Sequence, residues 1–380
     1  MRAGATLLSS FLALLFNAAL LALPFTVLGA WTAYRDGDVY KYTLTPEAIS
    51  GTRAKLDRTI AGMIPIDGDM RGAWGRAIER EINEGDYHAA QGLLLAAPAI
   101  LPSSEANRLK TQLPPDARDD QIAAAALAFL PEDVQDRYAT PVAANAFMVL
   151  GDLRDLTRDA QAWAQGQRTD EFTFILNGLG VALQGGDENA RARDGASVIK
   201  VARRTGKLSP GFTEYLKRRS FAAVPPARLK QNLAEALSKA PVGGEEAAVA
   251  AAFQKSLDPI GYLRLTEDLG EIQAMAHAAG ATVAAELLQH AQNGADLGKL
   301  HLVAQGGDRA WFVAKRAGAE ILLNAARGTL QFTPPMLAVY GALALNLIAL
   351  VFAACMTLAE AASHAWPKDL AEHDPAVLQA

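Results

Sequence analysis

Cysteine is nearly missing from these 380 residues: Cys355 stands alone, inside an apolar run near the C-terminus. One thiol there excludes a disulfide scaffold, a cysteine-ligated zinc site and a cysteine nucleophile in the rest of the chain. Catalytic signatures are missing too. No H-E-x-x-H, G-x-S-x-G or G-x-x-x-x-G-K-[ST] occurs. Gly178-Leu179-Gly180 lacks the third glycine and the following acid of a dinucleotide loop, and reads as a tightly packed helix with small residues. The six histidines are His88, His277, His290, His301, His364 and His373. Three of them, His277, His290 and His301, are close in sequence, but they read as independent helix residues rather than a metal site. The carboxylate pairs Glu79/Glu81, Asp119/Asp120 and Glu245/Glu246 fit charged helix faces and first turns, where acids complement the helix dipole.

Charge is absent from two stretches. Neither Asp, Glu, Lys nor Arg occurs from Ala3 to Tyr34 or from Gly328 to Ala359, 32 residues each. A helix of about 20 apolar residues crosses the hydrocarbon core. Residues 6–30 and 336–358 meet that length and are predicted as transmembrane helices. The first is too long for the core of a cleaved signal peptide and reads as a signal anchor. Trp31, Tyr34, Phe332 and Trp366 flank the runs as interface aromatics. Pro24 is expected to kink the first helix, and Thr333-Pro334-Pro335 to start the second. Asn17 and Asn346 lie inside the runs, where an amide seeks a hydrogen bond. They are predicted to pair with each other or across copies of an oligomer.

Between the runs lies an ordinary charged sequence, residues 31–332, with 34 Lys+Arg against 37 Asp+Glu. It is large enough to bury a core without staples. Helix starts are read at Thr45-Pro46-Glu47, Pro131-Glu132-Asp133, Ser209-Pro210 and Thr266-Glu267-Asp268. Breaks are read at Gly85, Gly166, Gly206 and Gly243-Gly244. Tyr87 to Ser104 and Phe172 to Gly186 read as buried core helices, and Val39 to Leu44 as a short extended piece. Asp268-Leu269-Gly270-Glu271-Ile272 is echoed by Asp296-Leu297-Gly298-Lys299-Leu300, as stacked helical hairpins would produce. The expected fold is all-α: two transmembrane helices flanking a large multi-helix soluble domain, either a helical bundle or α-solenoid-like. Tails at residues 1–5 and 359–380 complete the chain.

One segment is strongly basic. From Asp187 to Lys230 there are 11 basic and 4 acidic residues. Arg203, Arg204, Lys207, Lys217, Arg218 and Arg219 are the candidates for binding an anionic membrane surface or an acidic partner. The short first tail carries Arg2, which favours a cytoplasmic N-terminus and a translocated domain, periplasmic if the membrane is a bacterial inner membrane. The function expected is a membrane-anchored, non-enzymatic helical scaffold or protein-binding domain of the cell envelope. The alternatives are an envelope hydrolase acting on cell-wall or lipid substrates, and an accessory subunit of a transporter or respiratory complex. Membrane lipids and a protein partner or homo-oligomer are expected; nucleic acid, a cofactor and a metal are not.

Overall fold

A computed structural model describes residues 2–65, 68–97, 100–113, 156–163, 165, 167, 170–182 and 187–365. It is helical throughout, with one two-stranded sheet of β1 (Tyr40–Tyr42) and β2 (Leu330–Phe332). The chain divides into two compact units.

The first unit comprises residues 1–41 and 332–380. Here α1 (Arg2–Asp36) and α16 (Pro334–Ala365) pack against each other as an antiparallel pair. Each contains a stretch long and apolar enough to cross a membrane, Ala13–Asp36 and Met336–Ala359. Small residues lie at the contact: Ala19, Ala30, Ala33 and Ala353 are buried, while Leu21, Phe25, Leu345 and Ile348 point outward. Tyr340 donates from its hydroxyl to the Ala30 carbonyl at 3.2 Å.

The second unit is residues 42–331. Its first helices are α2 (Pro46–Met63), α3 (Met70–Asn83), α4 (Tyr87–Ala96) and α5 (Ser103–Lys110). Then come α6 (Glu171–Ala182), α7 (Asp187–Arg204), α8 (Pro210–Ala223), α9 (Pro226–Lys239) and α10 (Glu245–Ser256). The last are α11 (Pro259–Ala279), α12 (Ala281–Leu288), α13 (Gly294–Ala304), α14 (Asp308–Arg316) and α15 (Ala319–Leu323). Local chemistry sets the starts. Thr45 accepts from the Ala48 N–H at 3.1 Å and Ser209 from the Phe212 N–H at 3.0 Å, each one residue before a helix-opening proline. The start expected at Thr266 is wrong. That residue lies inside α11, which begins instead at Asp258-Pro259, where Asp258 accepts from the Gly261 N–H at 2.9 Å. Thr266 bonds back to the Leu263 carbonyl, as a hydroxyl does inside a helix. The features at Asp119/Asp120, Pro131-Glu132-Asp133, Gly166, Trp366 and His373 lie outside the described residues.

The 21-residue α11 is the central element, packed on α7, α8, α12 and α13. Gly195 on α7 lets that approach happen, since a Cβ there would stand 1.9 Å from the Leu269 carbonyl oxygen. The end of the unit returns to its beginning: α14 packs on α4 and α2, and α13 on α2. Trp74, Phe174, Phe212, Tyr215 and Phe253 are fully buried in one continuous core. The Asp268/Asp296 echo has no structural counterpart. Asp268 is buried mid-helix in α11, whereas Asp296 lies in the first turn of α13.

Candidate functional site

The return of α14 onto the first helices builds the most developed polar site among the described residues. Gly307, with φ of 59°, turns the chain into α14, and Asp308 opens that helix. Its carboxylate lies 2.8 Å from Nδ1 of His88 on α4, both side chains buried. Gly92, one turn beyond His88, sits where a Cβ would be 2.3 Å from the Asp308 carbonyl oxygen, so the two helices meet backbone to backbone. One turn into α14, Trp311 sets its ring 5.0 Å from that of His88, tilted by 46°, and donates Nε1–H to Asp86 at 2.8 Å. Asp86 also caps α4 through the Ala89 N–H and accepts from Lys315 at 2.8 Å. Burial opposes ionisation of Asp86, but the bonds from Lys315, the Ala89 N–H and Trp311 outweigh it and hold its carboxyl below the usual range.

Beside this cluster lies an open cavity of about 350 Å³, lined by Met63, Ile64, Leu93 and Phe312 with Arg80, Glu81 and Arg316. Buried Glu81 accepts from Arg316 with both carboxylate oxygens, at 2.7 and 2.8 Å. Arg80 has no ion-pair partner among the described residues and is exposed. The cavity is therefore apolar at its wall, neutralised at one side by Arg316–Glu81, and left with one unspent cation.

A buried His–Asp pair is two-thirds of a nucleophilic triad. Among the described residues Nε2 of His88 has no hydrogen-bond partner, so none of their hydroxyls stands where a general base would need one. No group of three His, Cys, Asp or Glu able to hold a metal occurs among the described residues. His277 ends α11 exposed, His290 lies beside Gln289 near Glu286, and His301 is held neutral by burial, its ring pushed down to about 4.

The six basic candidates do not form one open face. Arg219 is buried, donating to Asp268 at 3.0 Å and to the Tyr215 hydroxyl at 2.9 Å, with Tyr215 itself donating to Asp268 at 2.8 Å. Arg203 pairs with Asp170 and lies over the Phe172 ring. Lys207 pairs with buried Glu286 at 3.0 Å, and Lys217 lies 3.9 Å from Glu214. Arg218 is half-buried, and only Arg204 of the six is exposed. In the hairpin, Asn346 is buried and bonds to α1, but not to Asn17. Its amide lies 3.3 Å from the Thr26 hydroxyl. Turned over, it donates to the Ala19 carbonyl at 2.8 Å and accepts from the Leu23 N–H at 3.2 Å, spanning the two ends of one backbone rung beside Pro24. Asn17 is exposed.

Sequence reasoning missed His88, Asp308, Trp311 and the cavity. Glu81 and Arg316 are 235 positions apart, and no spacing could have joined them. Compared with family models, curated proteins and solved structures, the chain matches none.

Proposed function

We propose that the chain is a membrane-anchored, non-enzymatic helical domain that binds another protein of the cell envelope, with α1 and α16 as its anchor. The observation that carries the anchoring is the hairpin's side-chain distribution. Two helices of spanning length pack through alanines and present leucine and phenylalanine outward, as helices surrounded by hydrocarbon do. The binding reading rests on the cavity beside α14. An apolar wall of Met63, Leu93 and Phe312 with the uncommitted Arg80 at its edge fits an apolar side chain next to an acidic residue of the partner. Of the six basic candidates, Arg203, Lys207 and Arg219 are spent on internal carboxylates, which supports a structural role for those three. In the orientation we propose, the domain is on the translocated side, periplasmic for a bacterial inner membrane, with Arg2, the charge before the first apolar run, on the cytoplasmic side.

The test is site-specific photocrosslinking from Met63 in native membranes, read by mass spectrometry, with Arg80→Glu as the comparison. A single protein crosslinked in stoichiometric yield, and lost in Arg80→Glu at unchanged thermal stability, is the expected result. An identical crosslink pattern in both would overturn the assignment of the cavity. Protease access to the domain in spheroplasts checks the orientation separately.

A further inference from the structure

We propose that the outer face of α1 around Asn17 is where a second copy of this chain docks. Thr26 faces Asn346 of α16. Asn17 is nine residues earlier, and at about 100° per residue nine residues are two and a half turns. Asn17 is therefore on the opposite side of α1, away from α16, and its exposure agrees. Ser10, Ala13, Leu20, Leu21 and Pro24 share that side at helical spacing, all exposed.

The register of the hairpin gives the depth. Tyr340 meets Ala30 and Asn346 meets Thr26, so Asn17 stands level with Ala353 to Cys355. That is about 6–9 Å inside the end of the Met336–Ala359 span at 1.5 Å per residue. If these helices cross a membrane, on which this inference rests, the Asn17 amide lies in hydrocarbon. It has no hydrogen-bond partner among the described residues, unlike Asn346, which has two ways to satisfy its amide on α1. Pro24 adds a second vacancy on the same side, because it supplies no N–H to the Leu20 carbonyl one turn earlier. Polar groups at that depth need a partner, and lipid tails supply none.

A second copy supplies one by symmetry. A carboxamide both donates and accepts. A two-fold axis beside α1 brings Asn17 against its counterpart at the same depth, and each amide satisfies the other. Ala13 and Ser10, one and two turns before, are small enough for the two backbones to approach.

The experiment uses the full chain in lipid vesicles, with energy transfer between differently labelled copies measured over a series of lipid-to-protein ratios. The wild type is expected to associate as a dimer. Asn17→Leu should weaken that dimer by about tenfold, and Asn17→Gln should retain most of it. In a Cys355→Ser background, Ala13→Cys should oxidise to a disulfide dimer and Ala19→Cys, on the α16 side, should not. Equal association of wild type and Asn17→Leu, or a monomer at every ratio, would overturn the proposal. So would a crosslink from Ala13→Cys in native membranes that reaches only a different protein. Alkaline carbonate extraction separates the two readings. Release of the protein from membranes defeats the anchor itself, whereas a retained monomer defeats only the docking of a second copy.

Discussion

The hairpin and the helical domain bury their helix faces with opposite side-chain distributions. In the hairpin the small residues Ala19, Ala30, Ala33 and Ala353 are inside, and Leu14, Leu21, Phe25 and Phe352 are outside. In the domain Trp74, Phe174, Phe212 and Phe253 are inside. The domain's arrangement follows from water, which drives large apolar side chains inward. The hairpin's is the one expected of helices in hydrocarbon, where no such force acts between helices and contact depends on close backbone approach. Polar groups divide the same way. The domain buries charge in pairs, Arg219 with Asp268 and Arg316 with Glu81, whereas the described side-chain hydrogen bonds between α1 and α16 come from one amide, one threonine and one tyrosine hydroxyl.

The largest break in that comparison is expected from Asp268→Ala. It leaves the Arg219 guanidinium, only 6% exposed, without the carboxylate it meets at 3.0 Å. Removing one partner of a buried ion pair costs about 3–5 kcal/mol. Denaturant unfolding of the detergent-solubilised chain, followed by tryptophan fluorescence, checks it. An unchanged midpoint would mean that the network does not hold α8 to α11.

Acid should act next, and on the domain alone. His301 is pushed down to about 4 by burial, so it is neutral when folded and takes up a proton only in the unfolded chain between its ordinary value near 6.5 and about 4. A depressed histidine contributes stability that is complete above the unfolded value and is lost as pH falls towards the folded one. The loss levels off below about 4 and amounts to roughly 3 kcal/mol at most. His290 is lowered as well, first by burial, and adds to the same slope. The melting temperature measured from pH 7 to pH 4.5 should fall, and His301→Gln should flatten the curve. The hairpin has no charged residue between Ala3 and Tyr34 and should keep its helicity throughout.

A smaller test sets two glycines against each other. In Gly195→Ala the new methyl meets the Leu269 carbonyl at 1.9 Å, a backbone atom that cannot swing away. Overpacking of this kind costs about 1–3 kcal/mol. In Gly29→Ala the nearest atom is Val339 Cγ1 at 3.7 Å, an ordinary contact. That change should stay within about 0.5 kcal/mol. Equal losses at the two sites in thermal melts would show that the hairpin is packed as tightly as the domain.

Much of the fold was legible because helix chemistry is local. Thr45-Pro46, Ser209-Pro210 and the charge-free ends carry their meaning within a few residues. Thr266 misled because a cap-like triplet cannot be told from mid-helix residues until the stronger cap at Asp258 is weighed. The extended piece at Val39–Leu44 was legible as part of β1, but its partner Leu330–Phe332 was not, since Phe332 reads equally as an interface aromatic. The internal pairings of the basic segment were not legible for a different reason. Arg203 and Arg219 find acids 33 and 49 positions away, and a linear charge count contains neither pairing. The cavity combines α2, α3, α4 and α14 and had no linear signal at all.

The smallest expected effect decides what holds the hairpin. Asn346→Leu removes the one amide reaching from α16 to Thr26 or to the Ala19–Leu23 rung. In water a lost buried bond would leave an orphan, but here the groups it leaves have other partners. Thr26 already donates to the Leu23 carbonyl at 3.0 Å, and the rung closes on itself as an ordinary helical hydrogen bond. Interhelical bonds in membranes average only about 0.6 kcal/mol, with a maximum near 1.7, because the separated helices also find partners. Thr26→Val should therefore cost no more than Asn346→Leu, and the double variant no more than the larger single one. Unfolding in mixed detergent micelles, with energy-transfer dyes on the ends of α1 and α16, measures this. A loss of several kcal/mol in Asn346→Leu would mean that the amide, rather than the alanine contact, holds the two helices together, and the contrast with the water-packed domain would fail at its polar end.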